Sequence, residues 1–224
     1  MTQRSLHLPL IHNLNTLTPA ETAQTLRDKG TQVEINCLNW AKDFPKSPES
    51  RVMLAHDGNA IYALFTLHTD ELRAAATADL QPVASDNCFE IFLKKAGDTH
   101  YCNFEFNYRG FANVSRRPGR TGAVKFTPDK LAQIGRYPLT DAPLPHESRK
   151  ADPAEELALL AVIPLSLIEV EPDAKTPIAL EGNIYSCSDG CKEPYFLTWA
   201  PVPTPTPDFH RPDYFAPIIL GNNE

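Results

Sequence analysis

Polar side chains recur at every second position in the segment from residue 103 to residue 109. Because the side chains of a strand alternate between its two faces, these side chains share one face if the segment is a strand. Carboxylates accept hydrogen bonds, amides both accept and donate them, and a guanidinium donates through a planar fork. Such a face suits a ligand that carries many hydroxyl groups. Its polar members are Asn103, Glu105, Asn107 and Arg109.

The strand before this segment adds a further carboxylate to the same face. Residues 87–94 and 100–109 flank the sequence Lys95-Ala96-Gly97-Asp98, which is typical of a hairpin turn. A turn at the middle of this tetrapeptide places Glu90 beside the polar segment. A shift by one residue would move every side chain to the other face, so the register is a prediction. The predicted pairs are Glu90 with Asn103, Cys88 with Glu105, and Phe92 with Tyr101.

Three interpretations of this face differ in function. The first is an ordinary solvated outer face, which is common in antiparallel sheets. The second is a glycoside-active enzyme in which Glu90 and Glu105 flank the scissile bond, although the separation of two carboxylates is a weak test of catalysis. The third is a face that binds a sugar without cleaving it.

The elements that must position these residues are short strands. Apolar or alternating runs separated by turn residues favour an all-β chain, a single antiparallel β-sandwich of immunoglobulin or jelly-roll type over residues 1–224. The region 115–152 is weakly patterned and predicts long loops, a solvated basic loop around Arg117 and a short helix near Pro128–Ile134. Besides the hairpin, the predicted strands are 31–38, 51–56, 60–68, 157–163, 178–187, 195–200 and 217–220.

One more helix is predicted in an N-terminal extension, residues 1–30. Thr18 and Glu21 fit a capping box, and Pro19 occupies the first helical position. Gly30 stands where a glycine in the left-handed conformation commonly ends a helix. The sequence therefore predicts a short surface helix before the sandwich.

The composition limits the partners and the compartment. The chain has 224 residues and a net charge of -7 at pH 7, so it repels phosphate backbones and we expect no nucleic-acid partner. No segment approaches the roughly 20 apolar residues of a membrane-spanning helix. The N-terminal residues lack the apolar stretch of a signal peptide. The chain is therefore expected to be cytoplasmic as given, or extracytoplasmic if a signal peptide has been removed.

The cysteines match no zinc-ribbon spacing and are interpreted as small apolar side chains, mostly in strands. A disulfide between Cys187 and Cys191 is the alternative, and it would close a very short loop. No cofactor is expected except a structural calcium ion, for which Asp57, Asp86 and Asp98 are candidates without a recognisable ligand series. The five cysteines are Cys37, Cys88, Cys102, Cys187 and Cys191.

Two motifs resemble carbohydrate-binding module family 9 and its DOMON-like relatives. The sequence DNCFEIF at residues 86–92 is similar to the D-x-x-x-E-[IF]-F strand of that family. The sequence YCNFEFN at residues 101–107 is similar to the Y-x-N-F-E-F-N strand of a branch often found in gut Bacteroidetes. The likeness covers most of the chain, and the order and spacing of the motifs are more specific than any one of them. Further similar segments are Asp57–Phe65, Ile163–Pro164, Gly182–Tyr185 and Pro207–Pro212.

The resemblance implies a β-sandwich that binds sugars at chain ends between two stacked tryptophans, with structural calcium in some members. Glu90 matches the family's acidic sugar contact, and Trp199 is the candidate for the second tryptophan. Ala84 stands where the family often has the first tryptophan, and a lost stacking ring weakens binding by roughly 1 kcal/mol. The candidate sugar-binding residues are Glu90, Asn103, Glu105, Asn107, Arg109 and Trp199.

The sequence therefore predicts non-catalytic binding of a mono- or oligosaccharide on the polar face, linked to carbohydrate catabolism and polysaccharide utilisation. We expect a monomeric chain with a carbohydrate ligand and an association with glycoside hydrolases. The alanine at position 84 keeps a further alternative open, a protein-interaction or structural domain with a degenerate sugar site.

Overall fold

Strands dominate the described part of the chain, which comprises residues 4–140, 148–152, 155–171 and 177–222 of a computed structural model. The predicted all-β sandwich is confirmed. The strands are β1 (Leu6–Leu8), β2 (Thr31–Glu34), β3 (Glu49–His56), β4 (Ala60–His68), β5 (Glu71–Leu72), β6 (Cys88–Lys95), β7 (Tyr101–Asn107), β8 (Ala112–Arg117), β9 (Val124–Lys125), β10 (Gly135–Pro138), β11 (Arg149–Lys150), β12 (Leu157–Pro164), β13 (Ile178–Ser188), β14 (Tyr195–Thr198) and β15 (Ala216–Leu220). The helices are α1 (Pro19–Lys29) and α2 (Pro128–Leu131), and single 3₁₀ turns lie at Leu14–Thr16, Val83–Ser85, Leu165–Ile168 and Pro212–Tyr214.

Two sheets form the sandwich. The larger one has the order β1-β15-β13-β6-β7-β8-β9, with β14 also paired to β13, and the smaller one has the order β10-β12-β4-β3-β2. Strands β5 and β11 make a separate two-stranded pair. The pairing is antiparallel except between β1 and β15, which run parallel. None of the described helices is long and apolar enough to cross a membrane.

The main core lies between the two sheets and follows from alternation along the strands. Phe89 and Ile91 of β6 and Phe104 of β7 point toward the smaller sheet and are fully buried. Phe65 of β4 stacks on Phe89 with ring centroids 4.7 Å apart. This core fixes which face of the β6–β7 hairpin points away from the smaller sheet, and hence where its polar side chains lie.

The other face of the smaller sheet is covered by α1. Leu26 of α1 packs with Met53, Leu64 and Leu160 in a separate apolar cluster. Strand β12 is therefore buried on both faces, which explains why residues 157–163 form a continuous apolar run rather than an alternating one. The prediction of a buried strand at this place is confirmed.

The N-terminal helix is confirmed with its capping box, because Thr18 accepts a hydrogen bond from Glu21 N and the Glu21 carboxylate accepts one from Thr18 N at 2.9 Å. The predicted left-handed conformation of Gly30 is wrong, since Gly30 has φ −71°. A Cβ at this position would lie 2.6 Å from the Leu26 carbonyl oxygen. Close approach of the backbone, and not a positive φ, is the reason for glycine here.

The predicted strands agree with the structure, except that three end early. The run 31–38 ends as a strand at Glu34, the run 100–109 at Asn107 and the run 195–200 at Thr198. The weakly patterned region 115–152 contains strands β9, β10 and β11, which the sequence did not predict. They have two to four residues each and none of their side chains is buried, so they carry no apolar pattern. The short helix near 128–134 is confirmed at Pro128–Leu131.

All five cysteines carry free thiols, so the alternative of a Cys187–Cys191 disulfide is wrong. Cys191 lies beside Ser188, with Ser188 Oγ 3.0 Å from its Sγ. Cys88, Cys102 and Cys187 lie in strands and are buried, as the sequence indicated.

Candidate functional site

The polar face of the β6–β7 hairpin, meaning the face that points away from the smaller sheet, is buried. The interpretation as a solvated outer face is therefore wrong. Two segments, residues 74–87 and 201–215, pack on this face and form a second apolar cluster with the strands. The buried members of this cluster are Trp40, Ala76, Val83, Cys88, Phe92, Tyr101, Tyr185, Cys187, Val202 and Phe209.

The hairpin register differs from the prediction by two residues. Glu90 pairs with Glu105, Phe92 with Asn103, and Cys88 with Asn107. The turn lies later than predicted because Gly97 adopts φ +85° and Asp98 N donates to Lys95 O at 3.0 Å. A shift of two residues keeps every side chain on its predicted face, so the composition of the polar face is confirmed although the pairs are wrong.

Glu90 and Glu105 form a buried carboxylate pair at the centre of this face. Their side chains sit directly opposite each other on adjacent strands, and the residues are 4% and 7% exposed. Burial raises the pKa of Glu90 well above its usual value, and the neighbouring charge of Glu105 raises it further. Burial also raises the pKa of Glu105. Two buried like charges are unfavourable, so the pair holds a proton more readily than an exposed pair would.

The two carboxylates differ in how many hydrogen bonds they receive. Glu105 Oε1 accepts from Asn103 Nδ2 at 2.6 Å, and its Oε2 accepts from Asn113 Nδ2 at 2.7 Å. Asn103 Oδ1 in turn accepts from Ser115 Oγ at 2.6 Å. Glu90 receives a single hydrogen bond from the described residues, donated by Cys187 Sγ to Oε1 at 3.3 Å. The Glu90 carboxylate therefore keeps acceptor capacity that the protein does not use.

Cationic side chains border the pair on the β8 side. Arg117 is half-buried, and its positive charge lowers the pKa of both Glu90 and Glu105 against the effect of burial. Lys125 is exposed and donates to Asn113 Oδ1. Arg117 Nε is buried and has no hydrogen-bond partner among the described residues. Buried donors without partners are rare, and each one calls for an explanation.

His210 holds the segment 201–215 against this edge of the sheet. Its Nδ1 lies 2.9 Å from Tyr101 Oη, and Arg117 Nη1 lies 2.8 Å from both ring nitrogens. Burial, followed by the charge of Arg117, lowers the pKa of His210 to about 3. The imidazole is therefore neutral near pH 7, and it positions Arg117 without competing for the carboxylates.

The side chains of two predicted sugar contacts make hydrogen bonds within the protein. Asn107 Nδ2 donates to Asp86 Oδ2 at 2.9 Å and to Ala76 O at 3.2 Å, and its Oδ1 accepts from two backbone N–H groups. Arg109 lies beyond the end of β7, where its Nε donates to Ala74 O at 2.7 Å. The Asp86 carboxylate also accepts from Ala75 N and Ala76 N. These hydrogen bonds hold the segment 74–87 against the hairpin.

Trp199 does not lie with the other predicted contacts. It is buried in the main core between the sheets, whereas Trp40 lies on the polar side and packs on Phe209 with centroids 6.1 Å apart. Ala84 is partly exposed in the 3₁₀ turn Val83–Ser85 and packs against the second apolar cluster. The structure therefore brings Glu90, Asn103 and Glu105 together and separates them from Arg109 and Trp199.

Asn113, Ser115 and Arg117 share the polar face through β8 and are residues that the sequence did not select. Asn113 pairs with Glu105, Ser115 with Asn103, and Arg117 with Tyr101. The signal was present as an alternation, since Ala112 and Val114 are buried in the main core between them. Arg117 belongs to a strand and not to the solvated loop that the sequence predicted.

The carboxylates of Asp57 and Asp86, two of the calcium candidates, accept hydrogen bonds within the protein. Asp57 accepts from Asn59 N, Ala60 N and Tyr62 Oη at 2.8–2.9 Å, and both oxygens of Asp86 accept from N–H donors. These bonds use part of the capacity of each carboxylate to bind an ion. A structural calcium ion stays a prediction.

Comparisons with known proteins agree with the sandwich fold and with the family resemblance. The family model described as Carbohydrate-binding family 9 matches residues 22–220. A solved protein from Bacteroides uniformis that has been proposed to bind carbohydrate is 26% identical, with a TM-score of 0.86 over 97% of this chain and 99% of its own.

Two structures of a family 9 module from Caldicellulosiruptor kristjanssonii share the fold. The complex with cellotriose is 13% identical, with a TM-score of 0.62 over 99% of this chain and 95% of its own. The complex with glucose is 14% identical, with a TM-score of 0.57 over 99% of this chain and 97% of its own. A comparison with curated proteins gave no match.

Proposed function

The chain belongs to carbohydrate-binding family 9, whose modules bind sugars without cleaving them, and on this basis we propose where and what it binds. The proposed site is the β7–β8 side of the polar face. Glu105 and Glu90 accept hydrogen bonds from sugar hydroxyls there, and Arg117 donates one. The proposed ligand is glucose or the end of a glucose-containing chain, because two modules that share the fold were solved with glucose and with cellotriose.

The observation that carries the site is the unused hydrogen-bonding capacity of two buried groups. Arg117 Nε is a buried donor without a described partner, and Glu90 receives only one hydrogen bond from a thiol. A sugar hydroxyl accepts and donates at the same oxygen, so one hydroxyl can satisfy a guanidinium and a carboxylate together. Hydrogen bonds to charged groups contribute about 1.5–3 kcal/mol each, which is enough to offset part of the ordering cost of binding.

Apolar contacts for the sugar ring come from the aromatic residues that pack against the second cluster. The partly exposed rings of this group are Phe44, Phe111, Phe196, Tyr214 and Phe215. Ala84 supplies no ring, so one stacking contact of about 1 kcal/mol is missing. We therefore propose an affinity roughly fivefold weaker than that of a site with two stacking rings.

A glycan array followed by calorimetry tests the function and the site separately. We expect the wild-type chain to bind gluco-configured mono- or oligosaccharides with an affinity in the micromolar to millimolar range. The Glu105→Ala variant is expected to bind at least tenfold more weakly, because it removes a charged acceptor from the ligand. A flat response to the whole panel would contradict sugar binding and would favour the protein-interaction domain that Ala84 suggests.

Glu181→Ala is the matched control. Glu181 lies on the same face of the neighbouring strand β13, about 13 Å from the carboxylate pair at 3.3 Å per residue, and its carboxylate forms an ion pair with Lys94 at 2.6 Å. We expect its sugar affinity to equal that of the wild type. Equal losses in both variants would place the site elsewhere and would leave the family's function intact.

A further inference from the structure

Three side chains that can bind a metal meet on the polar face. They are Glu90 of the carboxylate pair and two cysteines. Cys88 of β6 lies directly opposite Cys187 of β13, and Glu90 follows Cys88 on the same face of β6. The two Sγ atoms and a Glu90 carboxylate oxygen all lie within 4.8 Å of one another. Both thiols and the carboxylate are buried. Thiolates and carboxylates are ordinary ligands of transition metals.

The Glu90 carboxylate has an unusual environment for a buried acid. Its single described partner is the Cys187 thiol, which is a weak donor, and it has no ion pair among the described residues. Buried charges in proteins are normally paired or bound to a metal. Arg117 contributes only a longer-range attraction. A cation between Glu90 and the two sulfurs would supply the counter-charge that Glu90 lacks in its ionised form.

The spacing of the three groups fits a tetrahedral ion. Zinc–sulfur bonds of about 2.3 Å place two sulfur ligands about 3.8 Å apart, and a sulfur and an oxygen ligand about 3.6 Å apart. The observed distance from Cys187 Sγ to Glu90 Oε1 is 3.3 Å, and no pair in the cluster exceeds 4.8 Å. Against the ideal separations, the limit of 4.8 Å leaves at most about 1 Å for side-chain rotation to close.

We propose that Cys88, Cys187 and Glu90 form a zinc-binding site. Two thiolates favour zinc over calcium or magnesium, and the carboxylate oxygen disfavours copper(I), which prefers sulfur alone. Binding displaces the protons of both thiols and leaves two thiolates and one carboxylate on the ion. The fourth position of the tetrahedron is left for water or another oxygen ligand. The metal site shares Glu90 with the proposed sugar site, whereas Cys88 and Cys187 belong to the metal site alone and Glu105 and Arg117 to the sugar site alone.

Cobalt(II) reports this site directly, because thiolate ligands give a charge-transfer band that zinc then removes. The full chain is freed of metal, kept reduced and equilibrated with cobalt overnight, since all three ligands are buried. We expect a sulfur-to-cobalt band at about one ion per chain and its loss on addition of zinc. Calorimetry with zinc in two buffers of different ionisation enthalpy is expected to show proton release.

Variants assign the ligands. Cys88→Ser and Cys187→Ser are expected to lose the band and at least tenfold of the zinc affinity, and Glu90→Gln to keep a weakened band. Cys102→Ser is the matched control, because Cys102 is a buried strand cysteine on the opposite face of β7. Thermal unfolding of each variant verifies that it is folded.

Absence of the band in the folded, reduced wild type would overturn the site, whatever the variants do. A band that survives both Cys88→Ser and Cys187→Ser, or that disappears in Cys102→Ser, would also overturn it. Glu105→Ala separates the two proposals, since it is expected to lose sugar binding and to retain the cobalt band. A folded Glu105→Ala protein that loses both would overturn a metal site formed by Cys88, Cys187 and Glu90 alone.

Discussion

The two faces of the β6–β7 hairpin are buried to a similar degree and differ in chemistry. On one face Phe89, Ile91 and Phe104 pack against the smaller sheet and contain no polar side-chain atom. On the other face Glu90 and Glu105 are buried beneath the segments 74–87 and 201–215. Burial of apolar side chains stabilises the fold, whereas burial of two facing carboxylates destabilises it. The difference marks the first face as structural and is the reason that we propose the second as the ligand-binding face.

The largest loss of stability is expected when a core side chain on the apolar face is truncated. Phe104→Ala removes a fully buried ring that packs edge-on against Phe126 with centroids 6.0 Å apart. We expect a loss of about 3–5 kcal/mol in the free energy of unfolding. Denaturant titration measures it, and the sugar affinity of the protein that remains folded should be unchanged. A loss below about 1 kcal/mol would contradict the assignment of this face as the main core.

The next largest loss of stability is expected when the hydrogen bonds of Asp86, which hold the segment 74–87 on the polar face, are removed. Asp86→Ala leaves Ala75 N and Ala76 N without their acceptor and removes one of the two acceptors of Asn107 Nδ2. We expect a loss of about 3 kcal/mol in the free energy of unfolding, since each buried unsatisfied donor costs about 1–3 kcal/mol and some will reach water. Hydrogen exchange is expected to show faster exchange at residues 74–87. Unchanged hydrogen exchange at these residues would show that Asp86 does not hold the segment 74–87 in place.

Glu90→Gln is expected to raise the free energy of unfolding rather than lower it, because it replaces the buried acid by a neutral group of the same shape. A carboxyl whose pKa is raised on folding contributes stability that is present below its unfolded pKa, near 4.5, and lost as the pH rises through its folded pKa. The wild type should therefore be less stable at pH 8 than at pH 5. The variant should show a flatter pH profile and be about 1–2 kcal/mol more stable at pH 8. If the free energies of unfolding of the two proteins changed with pH in parallel, ionisation of the buried Glu90 would not be what destabilises the wild type.

The smallest effect tests the missing ring. Ala84→Trp adds an aromatic side chain to the partly exposed turn beside the second apolar cluster. We expect sugar binding to strengthen roughly fivefold, since a stacking ring contributes about 1 kcal/mol. Leu80→Trp, at another partly exposed apolar position in the same covering segment, is the control. An equal gain in both variants would mean that added apolar area, and not stacking at position 84, strengthens binding.

The composition of the hairpin faces could be predicted from sequence, whereas their environment could not. A two-residue period fixes the side on which Glu90, Asn103 and Glu105 lie, and it is insensitive to the two-residue error in register. The turn that sets the register depends on Gly97 at φ +85°, which the sequence permits but does not require. The family resemblance predicted the sandwich and the binding function on the same two motifs.

Burial of the polar face depends on long-range packing that has no periodic signal. The covering segments are rich in proline and irregular, so nothing in residues 201–215 indicates that Phe209 packs on Tyr185 with centroids 4.2 Å apart. Trp199 directly follows the short strand β14, and alternation alone did not decide which side of the sheet its ring occupies. Arg117 was missed because its strand is half polar and lies in a weakly patterned region.

The buried carboxylates of the polar face are proposed to bind a sugar and, at the same time, to lower the stability of the fold. The Glu90→Gln variant tests both effects in one protein. Calorimetry with glucose or cellotriose in the presence of EDTA gives the affinity, and denaturant titration at pH 8 gives the free energy of unfolding. The account predicts opposite changes, with binding at least tenfold weaker and the fold more stable. A variant that binds as tightly as the wild type, or that loses stability together with binding, would contradict it.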